Sequence, residues 1–203
     1  MRAAIHMNSR RFIYFRFLCN KFLPLWLYDK DTLISIGKHY QTGEKIPDQL
    51  YDELTNERLL RSPLRVLNQV FQGQLELELY DAKTDDQSVL QIIEDCSNRF
   101  ALPKAQNTKD RKDIDLSQVL DLFVDGTPEF RYRYIISEIM SCDAFAAFQE
   151  AGLSNDDSVA ILGRKFRDTI LATGGGLEAS DAYRRFRGRN FQIAALLKHN
   201  GLP

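Results

Sequence analysis

Apolar positions along most of the chain recur every three or four residues, and no run alternates as a half-buried strand does. The pattern therefore predicts an all-α protein of helices joined by short turns. Asp29 opens a helix carrying Leu33, Ile34 and Ile36, which the turn formers Thr42 and Gly43 stop near Tyr40. Pro47, at a first-turn position where a missing N–H costs nothing, starts a second short helix striped by Leu50, Tyr51 and Leu54. Ser62-Pro63 reads as the start of a third, a hydroxyl cap followed by proline at the first helical position, with Leu64, Leu67, Val70, Phe71, Leu75 and Leu79 at helical spacing behind it. An amphipathic stretch follows at 85–100, then a polar, aperiodic loop at 103–115 and a helix at 115–122. A long helix is expected from Tyr132 to Glu150, with Ile135, Ile139, Met140, Ala144, Phe145 and Phe148 on its core face and Gly152 as its stop. Ser154 and Asp157 have capping-box spacing ahead of Val159, Leu162, Phe166 and Ile170; Gly174-Gly175-Gly176 ends that helix. Two closing helices cover 179–187 and 191–199.

Charge divides this pattern unevenly. The 203 residues carry 27 Lys and Arg against 28 Asp and Glu, a net charge of −1 that gives no field for gripping nucleic acid or an anionic membrane. Residues 1–28, however, hold Arg2, Arg10, Arg11, Arg16 and Lys21 and no acid. This basic head reads either as a stretch foreign to the rest, the favoured reading, or as an organelle transit sequence, for which serine is scarce. The apolar run from Phe12 to Tyr28 is interrupted by Arg16, Asn20, Lys21 and Pro24, so no membrane span is expected. Cys19, Cys96 and Cys142 are widely separated and odd in number, which argues for a reducing compartment, cytoplasmic or mitochondrial, rather than secretion.

Few residues advertise chemistry by spacing alone. His6, His39 and His199 belong to no HExxH or HxH pattern and to no Cys/His pair at ligand spacing, so they predict no metal site. The triple glycine at 174–176 lacks the preceding strand and following Lys-Ser/Thr of a phosphate loop and is expected to be a helix end. Arg184-Arg185-Phe186-Arg187-Gly188-Arg189 could grip phosphate, but at the end of an amphipathic helix it is better explained by the negative end of the helix dipole. Tyr132 and Tyr134, flanked by Arg131 and Arg133, can either pack their rings with wet hydroxyls or aim those hydroxyls at a substrate oxyanion.

Several longer strings are more specific. Gly163-Arg-Lys-Phe-Arg-Asp-Thr-Ile-Leu-Ala-Thr-Gly-Gly-Gly176, Glu178-Ala-Ser-Asp181, Phe186-Arg-Gly-Arg189 and Leu196-Leu-Lys-His-Asn-Gly-Leu202 resemble the C-terminal part of the thimet oligopeptidase and oligopeptidase A family. Tyr134-Ile-Ile-Ser-Glu-Ile-Met-Ser-Cys-Asp-Ala-Phe145 is similar to the helix after that family's substrate loop. Trp26-Leu-Tyr-Asp-Lys-Asp-Thr-Leu33 and Lys38-His-Tyr-Gln-Thr-Gly-Glu-Lys-Ile-Pro47 resemble the stretch just after its last zinc ligand. The likeness runs in order from about Trp26 to Leu202. It implies part of an all-helical clamshell that cuts short peptides with a zinc ion, and a chain divided into a basic, family-unlike head at 1–25 and a helical partial catalytic domain at 26–203.

The departures follow from the same alignment. The family's HExxH helix and its third ligand, a Glu, make the zinc-bound water reactive. This sequence contains no HExxH, and Phe17 stands where the ligand Glu is expected, so no metal ligand is assigned. Where the family's substrate loop has a His and further Tyr residues, this chain has Asp121 or Leu122, Asp125-Gly126-Thr127 and Arg131. Tyr132 and Tyr134 alone carry over as substrate-binding residues. No catalytic residue and no cofactor are assigned to this chain; zinc belongs to the family. The expectation is an oligopeptidase fragment inactive by itself. A second reading makes it the channel wall of an active peptidase, completed by a separate HExxH-bearing chain or by a fuller gene model; a third makes it a helical nucleic-acid-binding module. Expected partners are short peptides once completed, or a protein partner or second copy, with no membrane and no nucleic acid.

Overall fold

The computed structural model describes residues 17–80, 89–100 and 131–203. The loop expected at 103–115, the helix at 115–122 and residues 1–16 of the basic head lie outside the described residues. Among the described residues the chain is all-α, with a lone antiparallel bridge between Lys38 and Lys45 in place of any strand. Residues 17–22 are helical (α1) and run into a 3-10 turn, Leu23–Tyr28. Then come α2 (Lys30–Ile36), α3 (Asp48–Tyr80), α4 (Val89–Phe100), α5 (Arg131–Ala151) and α6 (Asp156–Phe166), which a wider turn, Arg167–Leu171, prolongs. Helices α7 (Ala179–Arg187) and α8 (Ala194–His199) close the chain.

Local caps set most of these limits. Asp29 accepts hydrogen bonds from the Thr32 amide at 3.0 Å and hydroxyl at 2.8 Å, so α2 begins as the sequence predicts. It ends earlier, at Ile36, because Gly37 already has extended backbone. Helix α5 stops at Gly152, whose φ of +87° few other residues adopt. The cap of α6 is Asn155 rather than Ser154: its side chain accepts from the Ser158 amide at 3.1 Å, and the amide oxygen's position, not the four-residue spacing, decides.

The largest departure from the pattern is α3. Two helices were expected, with a break at Ser62-Pro63, but Asp48–Tyr80 is one helix of 33 residues with Pro63 inside it. Proline lacks the amide that would bond to the Leu59 carbonyl one turn back. The Ser62 hydroxyl takes over that duty, reaching Leu59 O at 3.1 Å and the Asn200 carbonyl at 2.5 Å. Its single proton is shared between two carbonyls, and the side chain is buried. Ser62→Ala is expected to lower stability by about 1–3 kcal/mol, the usual cost of leaving a buried polar group unpaired. Urea unfolding followed by the fluorescence of Trp26, the single tryptophan, measures it.

The described chain forms two compact units, whose boundaries fall after Ser62 in α3 and after Ile136 in α5. The first, built from residues up to Ser62 and from Ser137–Pro203, has an aromatic core. Phe22 stacks on Phe166 with ring centres 4.5 Å apart and meets Phe148 at 5.5 Å and Phe145 at 6.2 Å. Phe186 closes on Phe166 edge-on at 5.3 Å, and Trp26 abuts Phe145 and Phe148. Leu18, Phe22 and Leu25 are buried here, so the apolar end of the basic head is core material. The second unit, Pro63–Ile136, is organised round Phe71, Leu75, Ile92, Ile93 and Cys96. Along this stripe Leu64 is exposed and Leu67 half-buried. Phe71 is buried, packed with Ile92, Ile93 and Cys96 of α4.

Candidate functional site

The two tyrosines brought forward by the sequence, Tyr132 and Tyr134, lie in the first turn of α5 and are half-buried. The opening amides of a helix have no partner within it. Here a carboxylate from α3 supplies one: Glu76 Oε2 accepts from the Arg131 amide at 2.7 Å and the Tyr132 amide at 3.4 Å. Glu76 is 1% exposed, a burial that a carboxylate tolerates only with such donors around it and that the positive end of the helix dipole favours further. One turn earlier in α3, Gly73 lets the backbones meet: a Cβ there would stand 3.0 Å from the Tyr132 Cα. The buried Arg133 folds back on its neighbour, its Nε donating to the Tyr132 hydroxyl at 3.4 Å and its guanidinium 5.6 Å from the ring centre.

A second constellation borders a cleft of about 760 Å³ in the first unit. Asp143 of α5 is buried and accepts from the Tyr183 hydroxyl at 2.7 Å and from both terminal nitrogens of Arg189, at 2.7 and 2.8 Å. Arg187 makes a paired contact with Glu150 at 2.6 and 2.8 Å, its Nε 3.9 Å from Asp143. Burial, then the bond to Asp143, pushes the Tyr183 hydroxyl well above the ordinary tyrosine range, so it stays a donor. Arg187 in turn holds the Glu150 carboxyl below its usual range. The basic run at 184–189 therefore has carboxylate partners: Arg187 and Arg189 engage α5, and Arg184 engages Asp181 and Asn190. The dipole reading of this run missed those partners, which are 37 and 46 residues away in sequence.

Of the histidines, His39 sits in the turn after α2, its Nδ1 3.2 Å from the Thr42 amide, while Nε2 of His199 lies 3.3 Å from Arg58 Nη1. His6 lies outside the described residues, as do positions 121, 122 and 125–127. Phe17 is half-buried in α1, and a phenyl ring has no lone pair for a metal. No group of three His, Cys, Asp or Glu side chains among the described residues could hold a metal ion, so those donors do not fit zinc by themselves. Burial pushes the Cys96 thiol up to about 11, with Glu78 adding to the shift, which marks it as a packing residue. No helix of the described residues is long and apolar enough to cross a membrane.

Among the described residues the frame is all-helical, and Arg187 and Arg189 fasten the C-terminal part onto α5. The chain belongs to peptidase family M3, a family of zinc metallopeptidases, whose model matches residues 18–202. It is 35% identical over 185 residues to the probable cytosolic oligopeptidase A of Arabidopsis thaliana, covering 91% of this chain and 26% of that protein. The figures for the organellar (chloroplastic/mitochondrial) oligopeptidase A of the same plant are 35%, 91% and 23%. Oligopeptidase A of Escherichia coli is 29% identical over 187 residues, again 91% of this chain and 26% of the relative. The chain thus spans about a quarter of the length of the curated relatives it matches. The match starts at residue 18, so it takes in α1 except for Phe17 and reaches upstream of Trp26.

Sequence reasoning passed over Glu76 and Asp143. A signal was available for both. Asp143 falls between Met140 and Ala144 on the apolar face of α5, and Glu76 follows Phe71 and Leu75 on α3; an acid in a core register needs a donor from somewhere.

Proposed function

We propose that this chain is the C-terminal, peptide-contacting part of an M3 oligopeptidase, that Tyr132 and Tyr134 offer hydroxyls to a bound peptide, and that the 203 residues hold no zinc and cut no peptide by themselves. Hydrolysis requires the HExxH helix and ligand Glu of a zinc site, which this sequence does not contain. The observation that carries the reading is the pairing of a family match over residues 18–202 with a sequence that has no HExxH at any position. The two tyrosines support the peptide contact because they open the helix that follows the substrate-loop position, with Glu76 fixing its first turn.

The purified chain is expected to contain no stoichiometric zinc by elemental analysis and to leave a quenched fluorescent peptide intact. Mixed with a polypeptide carrying an oligopeptidase HExxH segment, it is expected to restore cleavage. One zinc per chain, retained against a weak chelator and accompanied by cleavage, overturns the reading.

A further inference from the structure

The junction between α3 and the start of α5 does more than hold two helices together. Its parts act on two successive backbone amides: Glu76 accepts from the N–H of Arg131 and from the N–H of Tyr132, and Gly73, lacking a Cβ, lets α3 approach the Tyr132 backbone. A carboxylate without solvent round it has little freedom to move, and two donors to one oxygen, Oε2, fix its place. The position of the first turn of α5 is therefore set from α3, more than fifty residues away in sequence. Tyr132 and Tyr134 are carried by that turn, and a hydroxyl displaced by about an ångström from its partner loses most of its hydrogen bond.

We infer that Glu76, with Gly73, is a positioning residue for peptide binding: it fixes the first turn of α5 so that the Tyr132 and Tyr134 hydroxyls stand ready for the substrate. This rests on the reading of the two tyrosines as peptide contacts. Glu76 itself touches no substrate. Its carboxylate neither donates nor takes a proton in this role; it orders two amides, and through them the backbone that bears both rings. Glutamine at 76 keeps an acceptor oxygen of the same reach, so the arrangement survives the loss of charge. Alanine at 76 removes the carboxylate acceptor from both amides. Alanine at 73 leaves Glu76 intact yet drives a methyl group against the Tyr132 backbone, and in a helix interior it carries a favourable propensity.

The test is a titration of the full chain with a labelled short peptide, read by fluorescence anisotropy well below the unfolding midpoint, with hydrogen exchange at the Arg131 and Tyr132 amides measured on the same samples. Tyr132→Phe combined with Tyr134→Phe is expected to weaken binding by about tenfold or more, the usual effect of losing hydrogen bonds to a ligand. Glu76→Ala and Gly73→Ala are each expected to weaken it by roughly tenfold, Glu76→Gln by less than about threefold, and Glu76→Ala to speed exchange at both amides. A merely structural role would move the unfolding midpoint and leave the affinity of the folded chain alone. If the tyrosine variants weaken binding but folded Glu76→Ala and Gly73→Ala bind as the unaltered chain does, the positioning role is overturned while the peptide-contact reading stands. If the tyrosine variants bind normally, that reading falls and this inference with it. Unchanged exchange in Glu76→Ala overturns the inference whatever the affinity.

Discussion

Replacing Asp143 by alanine is expected to lower the stability of the chain by about 1–3 kcal/mol, because it takes the nearest acceptor from the buried Tyr183 hydroxyl and the carboxylate from the half-exposed Arg189. The loss falls on three groups at once. Arg189 loses both contacts of its fork, the buried Tyr183 hydroxyl keeps only the more distant Met140 carbonyl at 3.3 Å, and Arg187 loses the charge beside its Nε. Asp143→Asn, which retains an acceptor for Tyr183, is expected to cost less. By contrast, Arg184→Ala breaks an exposed pair with Asp181 and should change stability by no more than about 1 kcal/mol. Denaturant unfolding followed through Trp26, which sits in the same unit, separates these cases. An Asp143→Ala chain as stable as the unaltered one would show that α7 does not depend on this carboxylate.

Phe22→Ala carries the other large effect, about 3–5 kcal/mol, since truncating a buried aromatic removes its contacts and leaves a cavity. Phe22 touches Phe145, Phe148 and Phe166, so the cavity opens in the middle of the ring cluster. Leu23→Ala, at a side chain that is 66% exposed, should move stability by no more than about 0.5 kcal/mol. The contrast between adjacent residues decides whether α1 is an attached leader or a structural member of the first unit. Near-equal effects from the two substitutions would mean that α1 does not dock.

Glu76 and Asp143 show what a sequence does and does not disclose. Helices α5 and α6 were legible because their buried faces repeat within the helix itself: Ile139, Met140, Ala144, Phe145 and Phe148 carry their message locally. The break assigned at Ser62-Pro63 failed for the opposite reason. Serine before proline is a start signal only when nothing else receives the serine hydroxyl, and here it goes backward to Leu59 and across to Asn200. Glu76 and the Arg189–Asp143 pair were invisible to periodicity because their partners are set by the fold. The family likeness proposed a substrate role for Tyr132 and Tyr134, whereas the carboxylate bonded to the first amides of their helix came from geometry alone. The charge of the head did not disclose that Leu18 and Phe22 at its end are buried.

The shared proton of Ser62 makes the order of sequence change matter. With Pro63 in place, losing the serine strands both carbonyls, so drift at position 62 is closed. If Pro63 is exchanged first for an ordinary helix former, the returning amide answers Leu59 and the serine is left with Asn200 alone. The hydroxyl then becomes dispensable to the helix, and losing it costs only its bond to the Asn200 carbonyl. One route between the same two end points strands two carbonyls in its intermediate and the other none until its last step. A proline that looks like a defect in a 33-residue helix thus acts as a ratchet on its neighbour, holding it in the sequence for as long as the proline remains.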